Sequence, residues 1–413
     1  MTHKINLGMV LFFLLWSSCR TQQPEVAYVF QQPGWNFSCP SLTSDHQGHV
    51  LLTWAAMDTA GNRSQLWMAR IGVHPLRVME KFAVPHTEGV YPHGENLPKL
   101  ACTNSGFWVL AFGTPALRSS NPYAGEVKYV YTTDAGKHWS APMPCVTDTS
   151  SHDQRYFSLA PISAQEIAIV WMDDRLKVHP EGSTLFFGIV HPDGKITGDT
   201  PIAYNLCPCC RTAMLIDSQQ VLHVAFRQIL SDSIRDIVYM ASFDHGQHFT
   251  RPKRISADNW AIHACPHSGP SLAENAQGLQ VVWYTLAQGR GIFYTHAARR
   301  QFAPRQQVSD FNASAKHAQI QTLPDGRLVI AWDEYPSVNG QNQQQAIAAH
   351  QRIGLQLRTA EGKWLKTWYV SERGYDVQYP VLYPIGNNQL ILAYTRQQGR
   401  DAAVVCRMVT MGH

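Results

Sequence analysis

A short apolar segment carrying a large aromatic residue recurs seven times along this chain, and that recurrence restricts the fold more than any other feature. The aromatic positions are Trp54, Phe112, Trp171, Phe226, Trp283, Trp332 and Tyr394, separated by 58, 59, 55, 57, 49 and 62 residues. A matching segment lies upstream of each: Pro40-Ser41-Leu42, Pro98-Lys99-Leu100, Phe157-Ser158-Leu159, Thr212-Ala213-Met214, Pro270-Ser271-Leu272, Ala318-Gln319-Ile320 and Pro380-Val381-Leu382. Gly or Asx turns join most of these pairs, and weaker strand-like stretches such as 127–131 and 237–241 follow. Helical periodicity of useful length is missing. A four-stranded unit repeated at this length is a propeller blade, whose inner strands are apolar because neighbouring blades cover both of their faces.

The expected fold is therefore all-β: a seven-bladed β-propeller of four-stranded antiparallel blades, with a six-bladed ring as the alternative if one repeat is misread. The last unit supplies only about three strands, and residues 26–30 are strand-like. Placing that N-terminal strand on the outside of the last blade closes the ring without a raw edge, so residues 20–413 read as one domain.

Residues 1–19 read as a leader. Lys4 gives a positive start, residues 7–16 form an apolar run, and Ser17-Ser18-Cys19 follows. The small pair before Cys19 resembles a bacterial lipobox, with Trp16 where Leu is usual, so Cys19 is the expected lipidation site. The expectation is an exported protein, anchored through lipid to a bacterial membrane at the periplasmic or outer surface; a plain signal peptide cleaved near Cys19 is the alternative. No second stretch approaches the roughly 20 apolar residues that span a bilayer. With 45% hydrophobic and 15% charged residues the chain is globular, and a net charge of +4 without clustered Lys and Arg gives no nucleic-acid footprint.

Two stretches carry a family resemblance. Residues 132–139, Thr-Thr-Asp-Ala-Gly-Lys-His-Trp, and 242–249, Ser-Phe-Asp-His-Gly-Gln-His-Phe, both fit Ser/Thr-x-Asp-x-Gly-x-x-Trp/Phe, the Asp-box. Asp134 and Asp244 suit a turn that bonds its own amides, Gly136 and Gly246 suit positive φ, and Trp139 and Phe249 pack beneath. Asp193-Gly194 and Glu361-Gly362 look like degenerate copies. On these residues the mature chain resembles the sialidase superfamily of BNR-repeat propellers. The resemblance implies an exo-α-sialidase-like glycoside hydrolase that holds a sugar carboxylate with three arginines, attacks with a tyrosine paired to a glutamate, and uses an aspartate as acid/base. The family's Arg-Ile-Pro motif is missing here, since the first unit opens with Asn36-Phe37-Ser38-Cys39-Pro40, and seven repeats depart from six.

Function in a propeller gathers where loops open around the central channel. The loops leading into the first strands bring His93, Glu95, His152, Asp153, Arg155, Cys207, Cys209, Cys210, Arg211, His263, Cys265, His267 and His317, and those leaving the second strands bring Asp58, Asp173, Asp174, Arg175, Arg227, Asp333, Glu334 and Arg396. Guanidinium groups suit an anionic sugar, which makes Arg155, Arg211 and Arg227 the carboxylate candidates. Tyr379 or Tyr284 with Glu95 or Glu334, and Asp153 or Asp58 as acid, complete a catalytic set. The same arginines and acids also fit simple ion pairs that close the channel. The expected ligand is a glycan or other anionic small molecule; a non-catalytic platform for protein partners is the competing class.

A third class rests on sulfur. Cys207, Cys209, Cys210 and Cys265, with His263 and His267, offer ligands that suit copper or zinc, although the sugar chemistry needs no cofactor. Cys207 and Cys265 both precede proline and open adjacent units. In an oxidising compartment that makes a disulfide from Cys265 to the cluster the leading expectation, with the odd thiol paired to Cys39 or holding a metal.

Overall fold

The computed structural model describes residues 27–117, 119, 121–146, 153–231, 233–311, 314–336 and 350–411. The expected leader with its lipidation site Cys19, and His152, lie outside them. Every regular element among the described residues is a β-strand. The repeated aromatics all fall on second strands: His49–Asp58, Trp108–Pro115, Ile167–Asp173, Leu222–Leu230, Gly278–Thr285, Leu328–Tyr335 and Gln389–Gln398. Each is almost wholly buried, with Trp54, Trp171, Trp283, Trp332 and Tyr394 at 0% exposure.

The strands form six hydrogen-bonded sheets. Four have four antiparallel strands, and a fifth ends in two short segments, Gln301–Phe302 and Gln306–Gln307, that share one partner strand. The eight-stranded sheet consists of two four-stranded sets that meet at a single pair, Leu206 with Gln228. Ala27–Phe30 adds antiparallel to Asp401–Thr410, with Tyr28 opposite Cys406, and so completes the last sheet from the first described residues, as the sequence leads one to expect.

Apolar clusters fill the junctions between successive strand sets. At the closure, Phe37 and Trp54 of the first set pack with Val381, Ile391 and Val404 of the last, so the chain's two ends share one core. The next junction joins Leu51 and Leu66 to Leu100 and Leu110, and the series continues round the ring. Covering on both faces explains the unbroken apolar second strands.

The two Asp-box stretches are hairpins between third and fourth strands. Asp134 Oδ1 accepts from Thr132 Oγ1 at 2.7 Å and from the His138 amide at 3.0 Å. Asp244 repeats both contacts with Ser242 and His248, at 2.8 and 2.9 Å. Gly136 and Gly246 sit at φ +89 and +87. Gly194 and Gly362 hold the same hairpin position at +78 and +79, which accounts for the degenerate copies. Trp139 and Phe249 pack against the cores shared with the preceding sets, so the motif fastens one set to the next.

One irregularity shapes the channel mouth. Register slips between Ser38 and Ser41, Arg155 and Ser158, Lys316 and Gln319, and Gln378 and Val381 bulge four of the first strands. Inside these bulges Cys39, Tyr156, His317 and Tyr379 adopt φ of +59, +52, +54 and +55. All four stand one residue before the repeated segment, the step occupied elsewhere by Leu97, Arg211 and Gly269. A bulge of this kind re-aims a side chain, and here it does so at the same level in strand after strand.

Candidate functional site at the channel mouth

Glu95 is the centre of this level. It is 2% exposed, and its Oε2 accepts the backbone N–H groups of Gly269 at 3.1 Å and Arg211 at 3.4 Å. Arg211, itself 4% exposed, brings Nη1 to 3.3 Å from Glu95 Oε1 and donates from Nη2 to the Ala318 carbonyl at 2.9 Å. A buried carboxylate held this way ties distant parts of the chain to the axis, because its loss would strand a buried cation.

His317 completes the ring. Its Nδ1 lies 2.7 Å from Asp333 Oδ2, and Nε2 is 3.9 Å from Glu95 Oε1. Asp333 Oδ2 also accepts the Tyr379 amide at 2.7 Å, which sets the Tyr379 ring 4.2 Å from the His317 ring. Gly94 makes room for that ring, since a Cβ there would come within 2.1 Å of it. Burial, and then the negative charges of Glu95 and Asp333, push the Tyr379 phenol well above its usual range, so it stays protonated.

Beneath the ring runs a cavity of about 520 Å³, lined among others by Lys99, Ser158, Arg211, Ser271 and Gln319. Lys99 Nζ donates to the Phe157 carbonyl at 2.7 Å and to Ser158 Oγ at 2.8 Å. Burial, helped by the Arg211 charge, pushes its ammonium down to about 7.

Beside the ring opens a second cavity of about 280 Å³, lined by Tyr91, His93, Tyr123, Arg155, Tyr156 and His267. Arg155 donates from Nε to Asp153 Oδ1 at 2.6 Å and from Nη2 to the Tyr123 carbonyl. Asp153 Oδ1 also accepts the Gly125 amide at 2.8 Å. His93 stacks on Tyr91 at 6.3 Å and lies 6.1 Å from the His267 ring. Burial lowers the pKa of His93, favouring the neutral imidazole.

The structure thus brings Glu95, Arg211 and Tyr379 into one ring and Arg155 into the adjoining pocket, with Asp153 holding Arg155 from outside its lining. Arg227 joins neither. It is 1% exposed, lies over Trp260, and donates to the carbonyls of Arg235, Ser268 and Tyr284 at 2.7, 3.0 and 2.7 Å. Several of the polar residues after the second strands form local pairs, Asp58 with Arg63 at 3.0 Å, Glu334 with Arg352 at 2.7 Å and Arg396 with Glu372 at 3.1 Å. Sequence reasoning passed over Tyr91, Tyr123, Tyr156 and Lys99. Tyr156 had a signal, because it holds the same repeat step as Tyr379.

Cys207, Cys209 and Cys210 are buried together against Ile229. Cys209 Sγ lies 3.5 Å from Cys207 Sγ and 4.0 Å from Cys210 Sγ. Arg235 Nη1 donates to Cys207 Sγ at 3.1 Å. Hydrogen bonds from Cys209 and Cys210, then the charges of Arg227 and Arg235, pull the Cys207 thiol far below its usual range. Cys265 is exposed, and a hydrogen bond from Cys209 lowers it to about 7. The expected disulfide from Cys265 is not formed: all eight described cysteines, Cys39 included, are free, and the cluster's sulfur separations exceed a bond of about 2.05 Å. Two ligand groups appear instead, Cys207-Cys209-Cys210 and Cys209-Cys265-His267, each with its donor atoms within 4.8 Å of one another. His263 is exposed and belongs to neither group.

Solved structures share this architecture. A protein of unknown function from Dyadobacter fermentans superposes with a TM-score of 0.56 at 14% identity, over 94% of this chain and 98% of its own. The chain is a β-propeller. An ulvan lyase, a polysaccharide lyase, follows at TM-score 0.50 and 11% identity, over 78% of this chain and 82% of its own. A Hadza microbial sialidase reaches 0.47 at 12% identity, over 84% and 73%. No family model matches the sequence, and no curated protein is similar to it.

Proposed function

We propose that this propeller recognises an anionic glycan in the pocket formed by Tyr91, His93, Tyr123, Arg155, Tyr156 and His267. The carrying observation is the convergence of an arginine and three tyrosines on one cavity at the mouth of the ring. Tyrosine faces offer the apolar surface on which a sugar ring packs, and a guanidinium gives fixed donors for a carboxylate or sulfate. Arg155 spends two N–H groups on Asp153 and Tyr123 out of the five that a guanidinium carries. The similar fold of a polysaccharide lyase fits a sugar ligand without identifying one.

In this reading the ring has seven blades, the eight-stranded sheet counting as two. Glu95, Arg211 and Tyr379 form the rigid floor of the mouth, and Asp153, which holds Arg155, is the acid assigned to any glycoside cleavage. Tyr379, kept protonated, serves as a hydrogen-bond donor rather than as the nucleophile of the sialidase pattern.

Calorimetry with sialylated, uronate-containing and sulfated oligosaccharides, set against neutral counterparts, tests the proposal. Acidic sugars should bind and neutral ones should not, and Arg155→Ala should weaken binding roughly tenfold or more with the melting temperature unchanged. Equal binding of neutral sugars, or no binding at all, rejects it. Product analysis on the same panel, with Asp153→Asn alongside, decides whether binding leads to cleavage.

A further inference from the structure

The cysteine cluster carries an inference that shares only His267 with the glycan pocket. We propose that Cys207, Cys209 and Cys210 hold one cuprous ion in a trigonal thiolate site, loaded from the surface through Cys265 and His267.

Three observations lead there. First, the sulfurs are already spaced for a shared ion. At a metal–sulfur distance of about 2.3 Å, trigonal ligands stand about 4 Å apart, against 3.5 and 4.0 Å here. Second, each group offers three ligands, and among the described residues no fourth His, Cys, Asp or Glu atom joins either set. A structural zinc site wants four ligands in a tetrahedron, and burial of all three cysteines leaves little access for water as the fourth. Soft thiolates select copper(I) among the common ions that accept three ligands. Third, the pocket is prepared for negative charge. Arg235, 4% exposed, points Nη1 at Cys207 Sγ while Nη2 binds the half-exposed Glu181 at 2.8 Å, and the buried Arg227, whose carbonyl accepts the Cys207 amide at 2.9 Å, adjoins the cluster. These two cations offset the surplus negative charge of three thiolates around a monovalent ion.

The second group explains how an ion reaches a closed site. Cys265 and His267 are exposed, and they share Cys209 with the buried trio. An ion bound outside by Cys209, Cys265 and His267 moves inward by exchanging Cys265 and His267 for Cys207 and Cys210 while Cys209 keeps its bond. Each thiol that binds releases its proton to solvent, and copper remains in the +1 state throughout.

The test uses the reduced full-length protein under anaerobic conditions, titrated with copper(I) in competition with a bathocuproine-type chelator. One ion per chain should be retained, with an X-ray absorption spectrum of three sulfur neighbours. Cys210→Ser should weaken retention roughly a hundredfold, whereas Cys265→Ser should slow loading roughly tenfold and leave the final stoichiometry intact. Cys210 lies outside the glycan pocket, so its variant reads the metal alone. No copper kept by the wild type, tighter retention of zinc(II) than of copper(I), or wild-type behaviour of both variants overturns the proposal. If Cys210→Ser fails to fold by circular dichroism, the wild-type spectrum and the Cys265→Ser loading rate decide.

Discussion

Glu95 and Arg211, 116 positions apart in sequence, meet at the channel axis with Oε1 and Nη1 separated by 3.3 Å and both side chains buried. The carboxylate also accepts amides from Arg211 and Gly269, so its removal leaves a buried guanidinium and two amides without their acceptor. Glu95→Ala should therefore lower unfolding free energy by about 3–5 kcal/mol, measured by chemical denaturation. Glu95→Gln, which keeps an acceptor for the amides, should cost clearly less. A loss below about 1 kcal/mol for Glu95→Ala would show that this contact does not organise the mouth.

Gly246 sits at φ +87 in the second Asp-box, and a Cβ there would come within 2.2 Å of the buried Phe187 ring. Gly246→Ala combines backbone strain with overpacking and should cost about 2–4 kcal/mol. Gly386 is the control: its φ is ordinary and a Cβ would meet nothing within 4 Å, so Gly386→Ala should leave the melting temperature nearly unchanged. Equal effects at both positions would remove the packing role assigned to the hairpin.

The sequence disclosed what is local and repeated. An aromatic every fifty to sixty residues, and Asp-Gly hairpins in register with it, are consequences of strand burial and turn chemistry, and Trp54, Trp171 and Asp134 lie where those rules put them. The mouth was only partly legible because it depends on register. Tyr156 and His317 hold the step before the repeated segment, but the bulges that re-aim them are visible only in the strand register. Arg227 looked like a channel residue by its place after an aromatic, yet its strand continues to Leu230 and carries it inside the protein. Cys207 and Cys265 were correctly read as neighbouring regions, but sequence gives no sulfur-to-sulfur distance, and the bridge drawn between Cys265 and the cluster is absent.

Arg155 tests recognition apart from stability. Its side chain is 26% exposed and its pair with Asp153 lies at a cavity edge, where ion pairs contribute at most about 1 kcal/mol. Arg155→Lys keeps the charge but loses the planar fork. Affinity for acidic oligosaccharides should fall roughly tenfold while thermal stability holds, and an unchanged dissociation constant would argue that charge alone is read.

Lys99 gives the channel a pH dependence whose sign follows from its surroundings. Its ammonium, ordinarily near 10.5, is pushed down to about 7 by burial and by Arg211. Below about 7 the lysine is charged in both folded and unfolded chains, and folding bears the full cost of burying that charge. Between about 7 and 10.5 the folded chain holds it neutral while the unfolded chain still binds the proton, so stability contributed at this position rises with pH. Lys99→Met removes the titration together with the hydrogen bonds to Phe157 and Ser158, and the hydrogen-bond loss is a nearly constant offset. Urea unfolding of wild type and variant from pH 6 to pH 10 should therefore show the wild type gaining on Lys99→Met as pH rises. A difference that stays flat, or that shrinks, would mean Lys99 is charged and solvated in the folded channel.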